Sequence, residues 1–149
     1  MNTSARMVDM IGSFEGLMLK AYLCPAGVPT IGYGHTGPDV TRADVTARKE
    51  ITRAEADRLL ATDLVRFENG VSSLLDVEVT QNEFDALVSL AFNIGLGAFG
   101  KSTLRRLLNR GMRPEAAAQF TVWNKAGGKF HPGLLKRRTL ELIHFMGAS

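Results

Sequence analysis

The chain has 149 residues, 45% hydrophobic and 22% charged, with a net charge of +3. That size and balance suit one compact domain with a real apolar core. No run of about 18 apolar residues occurs, which excludes a membrane-spanning helix by length, and a single cysteine excludes an internal disulfide.

The charge is unevenly spread. Residues 1–100 carry 8 Lys/Arg against 13 Asp/Glu, and residues 101–149 carry 10 against 2. A basic stretch of this kind points to a polyanionic partner: nucleic acid, an anionic membrane surface or an anionic cell wall. The opening "MNTSARMVDMIGSFEG" is interrupted by Asp9 and Gly12, so no signal peptide and no N-terminal anchor are expected, and synthesis and folding in the cytoplasm are.

Met7, Met10, Ile11, Phe14 and Leu17 recur at helical spacing, which predicts a helix over about 4–14 with Glu15 at its exit and Gly16 as its stop. Pro25, Gly27 and Pro29 then mark a turn. "TIGYGH" reads as a strand with Ile31 and Tyr33 on one face, inside a β-region of two or three strands over about 21–50. Thr52 and Glu55 form a capping box ahead of the stripe Ala56, Leu59, Leu60, Leu64, Phe67, Val71 and Leu74, which predicts one long helix over about 53–74.

Thr80 and Glu83 repeat the capping box before Phe84, Leu87, Val88 and Ala91. Ser102 starts a further helix that stops at Gly111, and Pro114 begins another. "AGGKFHPG" reads as a loop and "LLKRRTLELIHFM" as the last helix. The expectation is α+β: a small β-lobe over about 15–52, an inter-lobe helix over about 53–74, and a helical lobe over about 75–149 joined by the N-terminal helix. The pattern predicts a single domain with a ligand cleft between the lobes.

Glu15 is followed after eight residues by Cys24, and Cys24 after five by Thr30. The turn between them puts Cys24 and Thr30 on opposite arms, where both can face one wall beside Glu15. Glycosidic hydrolysis needs a proton donor on the leaving oxygen and a group that attacks or holds a water. Glu15 fits the first task if burial raises its pKa, and Cys24 with Thr30 fits the second. Each residue alone has a plain reading: a surface acid, a small core thiol, a strand threonine. His35 has no companions at metal-ligand spacing, so no metal is expected.

The Glu–Cys–Thr spacing followed by "TIGYGH" resembles the phage-type lysozymes, also called endolysins or muramidases. "ITRAEADRLL", "AFNIGLGAFGKSTLRRLLN" and "FTVWNKAGGKFHPGLLKRRTLEL" are similar to that family's inter-lobe helix, helical lobe and closing segment. The resemblance implies a lysozyme-like fold and cleavage of the β-1,4 bond between N-acetylmuramic acid and N-acetylglucosamine in peptidoglycan, by a monomer without cofactor. It implies Glu15 as general acid, Thr30 as a holder of water or sugar, and Cys24 where many members carry Asp. Phe92, Asn93, Ser102 and Arg137 are then expected at the glycan, with Arg137 facing the acid. His35 paired with Asp63, and Trp123 in the core, are expected to support the structure. The resemblance also implies release to the cell wall with the help of a holin.

The sequence admits three other readings. A lytic transglycosylase would act through Glu15 alone and leave an anhydro-sugar. A disabled, wall-binding module would keep the fold without turnover. A nucleic-acid binder would use "RRLLNRGMR", but that stretch lacks interleaved aromatics.

Overall fold

The computed structural model describes residues 1–147; Ala148 and Ser149, which close the expected helical lobe, lie outside the described residues. In chain order the elements are helix α1 (Ala5–Glu15), strands β1 (Met18–Leu23) and β2 (Pro29–Gly32), and helices α2 (Arg42–Thr46), α3 (Arg53–Leu74), α4 (Gln81–Ile94), α5 (Leu96–Lys101), α6 (Thr103–Asn109) and α7 (Arg113–Ala118). A single 3₁₀ turn (Phe120–Val122), a short hairpin of β3 (Lys125–Ala126) and β4 (Lys129–Phe130), and helix α8 (Pro132–Phe145) complete it. The chain is α+β, with helices dominating.

The chain divides into two compact units, one of Val8–Val65 and one of Met1–Met7 with Arg66–Ser149. The boundary falls inside α3, the helix expected to join the two lobes. Nothing in the sequence of α3 marks the division, because its apolar stripe runs through it unbroken.

In the smaller unit, β1 and β2 pair antiparallel, with Tyr22 opposite Thr30 and Leu23 opposite Pro29. The Ala21 N–H donates to Lys49 O at 2.9 Å and the Ile51 N–H to Leu19 O at 2.9 Å, which adds a short third edge. Two details differ from expectation. Strand β2 stops at Gly32, whose φ of +70° suits glycine and turns the chain. Ile31 and His35 then exchange backbone hydrogen bonds of 3.0 and 2.9 Å across a tight turn, so Tyr33 sits in the turn and not on a strand face. The segment 42–46 is helical, because Thr41 and Asp44 form a capping box that the β-region reading overlooked.

In the larger unit, α4 is buried along Glu83–Ala91, with Phe84, Ala86, Leu87, Val88, Leu90 and Ala91 as its apolar part. It packs on α8, and α6 packs on α7. Phe84, Leu87, Leu90, Phe99, Leu104, Leu108 and Phe120 form the core there, each side chain contributing about 1.5–3 kcal/mol of apolar burial. The polar residues of α4 that enter this core are all partnered. Glu83 pairs with Arg113 at 2.9 Å, Ser89 donates to Glu141 at 2.7 Å, and Asp85 pairs with His144 at 2.9 Å. "AGGKFHPG" carries the β3–β4 hairpin where a loop was expected, with Gly127 and Gly128 both at positive φ in its turn.

Candidate active site

The smaller unit holds Glu15, Cys24 and Thr30. Glu15 is the last residue of α1, and Gly16 (φ +76°) ends the helix by donating to Gly12 O at 3.0 Å. One turn earlier, a Cβ on Gly12 would lie 3.2 Å from the Tyr33 ring. Glycine at position 12 therefore lets the Tyr33 turn close against the final turn of α1, and this fixes the helix end that carries Glu15. Glu15 is exposed at the end of α1, which differs from the expected partial burial.

Cys24 follows β1 directly. Its N–H donates to Val28 O at 3.0 Å, and the Gly27 N–H returns to Cys24 O at 2.8 Å, closing the turn. Position 24 thus lies across from 28, and 22 from 30. By the two-residue period of strands, Cys24 and Thr30 occupy the same face as diagonal neighbours. Thr30 is buried to 3% exposure, and its hydroxyl donates to Val28 O at 2.8 Å. The Cys24 thiol is half-buried. It is held below its ordinary pKa, first by a hydrogen bond from the Val28 backbone and then by the Ala26 backbone and the Thr30 hydroxyl, against an opposing effect of desolvation.

His35 is buried between two carboxylates. Nδ1 lies 2.9 and 2.8 Å from the Asp63 oxygens, and Nε2 lies 3.0 and 2.9 Å from those of Asp39. Burial disfavours the charged ring, but the bonds to Asp63 and Asp39 outweigh it and raise the His35 pKa. The His35 ring in turn holds the Asp39 carboxyl below its usual value. Asp39 was missed in the sequence, although the spacing His35-x₃-Asp39 offered a signal.

The remaining candidates lie in the larger unit. Phe92 is half-buried and meets Phe67 edge-on, with centroids 5.1 Å apart. Asn93 is exposed, and its Oδ1 accepts from Arg138 Nη1 at 2.8 Å. Ser102 and Arg137, expected at the glycan, are instead buried among protein partners. Ser102 caps α6 by accepting from the Arg105 N–H at 3.1 Å, and it donates to Phe99 O at 2.6 Å. Arg137 bonds Glu141 Oε1 at 3.1 Å and Ser89 O at 3.1 Å. Glu141 also pairs with Arg138 at 2.8 Å, so one fully buried carboxylate holds two arginines. The spacing Arg137–Glu141 and Arg138–Glu141 (i+4 and i+3) was the available signal for this cluster. Trp123, expected in the core, is half-buried and lines a cavity of about 300 Å³ together with Asn93, Ile94, Val122, Lys125 and Leu134.

Among the described residues no helix is long and apolar enough to cross a membrane, and no group of three His, Cys, Asp or Glu residues is placed to hold a metal.

The phage lysozyme family profile matches residues 12–141. The endolysin of Bacillus phage PZA is 49% identical over 150 residues, covering 97% of this chain and 55% of that protein. The chain therefore spans about half the length of that relative. The endolysin of Salmonella phage P22 is 42% identical over 146 residues, covering 98% of this chain and 99% of the relative. Among solved structures, the muramidase domain of SpmX from Asticaccaulis excentricus superposes with a TM-score of 0.87 at 38% identity, covering 97% of each chain.

Proposed function

The chain belongs to the phage lysozyme family, and from that premise we propose that it is a muramidase, hydrolysing the β-1,4 bond between N-acetylmuramic acid and N-acetylglucosamine in peptidoglycan. The observation that carries this reading is the hairpin placement of Cys24 and Thr30 on one face, with the thiol held among hydrogen-bond donors.

In this mechanism Glu15 is the general acid. A glycan laid over its exposed side chain shields it from water, disfavours the carboxylate and keeps the proton for the leaving oxygen. As the glycosidic bond breaks, that proton moves from Glu15 to the departing O4. A water forms the new bond to C1, and the Cys24 thiolate takes the proton the water loses. Exchange with solvent returns Glu15 to acid and Cys24 to thiolate. Thr30 holds the water beside the sulfur.

Purified peptidoglycan tests the assignment, with reducing ends counted and product masses measured. Hydrolysis adds one water per cut; a 1,6-anhydro product would replace this reading with a transglycosylase. Glu15→Gln is expected to lose about 10²–10⁴ in rate while the protein stays folded. Cys24→Asp is expected to match or exceed the parent at neutral pH and to extend activity to lower pH, because a carboxylate stays ionised where a thiolate is protonated. Cys24→Ser and Cys24→Ala are expected to be inactive. Robust activity of Cys24→Ser with an unchanged acid limb would reject the thiolate.

A further inference from the structure

Two facts about one carbonyl and one hydroxyl combine here. Val28 O accepts from both the Cys24 N–H (3.0 Å) and the Thr30 Oγ1 hydroxyl (2.8 Å). A threonine hydroxyl has one hydrogen to give and two lone pairs to receive with. Thr30 is 3% exposed, so bulk water does not compete for that hydrogen. Cys24 is its diagonal neighbour on the same hairpin face.

We propose that Thr30 is a two-position proton-donor switch for Cys24. With Cys24 protonated, the Thr30 hydroxyl gives its hydrogen to Val28 O, and its oxygen faces the S–H as an acceptor. When the thiol loses its proton to solvent, the sulfur becomes acceptor-only, and the hydroxyl turns about χ1 or its C–O bond to donate to Sγ. Val28 O keeps the Cys24 N–H throughout, so the turn does not lose its closing bond. Thr30 is thus a positioning residue that favours the ionised sulfur, a role separate from any contact with the sugar. The lowered pKa of the Cys24 thiol, with the Thr30 side chain among its causes, agrees with this. The catalytic meaning of the switch deepens the muramidase reading and rests on it; the switch itself does not.

Other charges act on the hairpin as well. Arg42 of α2 donates to Gly27 O at 3.3 Å in the same turn, and Asp44, Lys20, Lys49, Glu50 and Glu15 lie on the elements around it. Thr30→Val and Thr30→Ser leave all of them in place, so the difference between the two variants isolates the hydroxyl.

Cys24 is the only cysteine, which allows a direct readout: thiolate absorbance at 240 nm against pH, with Cys24→Ser as blank. Thr30→Val is expected to move the thiol titration to higher pH and lower the thiolate fraction at pH 7 about threefold to tenfold, the effect of one ordinary hydrogen bond. Thr30→Ser is expected to titrate like the parent. If Thr30→Val does not fold, Thr30→Ala replaces it with the same expectation. An unchanged midpoint without the hydroxyl, or an equal shift in the serine variant, overturns the switch. Wall digestion is a separate arm. A parent that cuts no peptidoglycan defeats the muramidase reading while the titration still decides the switch. A parent that does should show the acid limb of its activity move with the thiol midpoint in Thr30→Val.

Discussion

His35 faces a carboxylate at each ring nitrogen, and a neutral imidazole has only one N–H to give. The geometry therefore requires the imidazolium, and its linkage to folding follows. A raised His35 pKa contributes stability that is full below the unfolded value of about 6.5 and is lost as pH rises through the folded value. The depressed Asp39 contributes above its unfolded value of about 3.9 and loses that as pH falls through the folded one. The clamp is strongest between about pH 4 and 6.5. Asp63→Asn at pH 5.5 is expected to cost roughly 1.5–3 kcal/mol, measured by denaturant melts, with the deficit shrinking toward pH 9. Asp39→Asn is expected to cost under about 1 kcal/mol, because Asp39 is 59% exposed on its side chain. An equal deficit at pH 5.5 and pH 9 for Asp63→Asn would refute the charged clamp. At this scale, what the sequence makes legible is set by local spacing. Cys24 and Thr30 sit on one hairpin face because parity and a turn decide it. Asp39 was missed because its bond to His35 depends on the tight turn after Gly32.

The helices show which local signals survive folding. Thr80 accepts from the Glu83 N–H at 3.1 Å, and Glu83 Oε1 accepts from the Thr80 N–H at 2.9 Å, so both donors at the start of α4 are satisfied. Thr80→Ala is expected to cost about 1 kcal/mol, lowering Tm by about 3 °C, and Thr80→Ser to restore it; equal melting temperatures for Thr80→Ala and the parent would deny the cap this role. Caps at Thr52, Thr80 and Ser102 were readable because each rests on residues three apart. The same rule applies to Thr41 and Asp44, yet a flanking run of turn residues masked it. The β3–β4 hairpin was unreadable for another reason: strands of two residues carry no periodicity.

At the scale of the whole molecule, the larger unit is tied together by buried charge. Fully buried Asp85 accepts from the Ser4 N–H at 2.9 Å, the Ser4 hydroxyl at 2.5 Å, Gln81 at 2.8 Å and His144 at 2.9 Å. Asp85→Ala leaves these donors without their acceptor and is expected to cost about 3–5 kcal/mol, against about 1 kcal/mol for Ser4→Ala. Denaturant melts with similar deficits for the two would refute Asp85 as the hub. The Asp85 hub could not be read from the sequence, since Ser4, Asp85 and His144 come from distant parts of the chain; in the Glu141 cluster the arginine spacing was local and readable, and the distant partner Ser89 was not. The split of the chain at Val65 shares that cause, because contacts and not composition define it.

One carboxylate that grips residue 4 and residue 144 also gives the chain a near-circular topology. The backbone leaves Asp85's neighbourhood at Ser4, runs through both units, and comes back to it at His144. A short peptide tether joining the two gripped segments would close a ring at little entropic cost, since the ends it links are already neighbours. In such a ring the order of elements becomes a cycle, with no first or last helix. The exposed Gly127–Gly128 turn is then as natural a place to start reading the sequence as Met1.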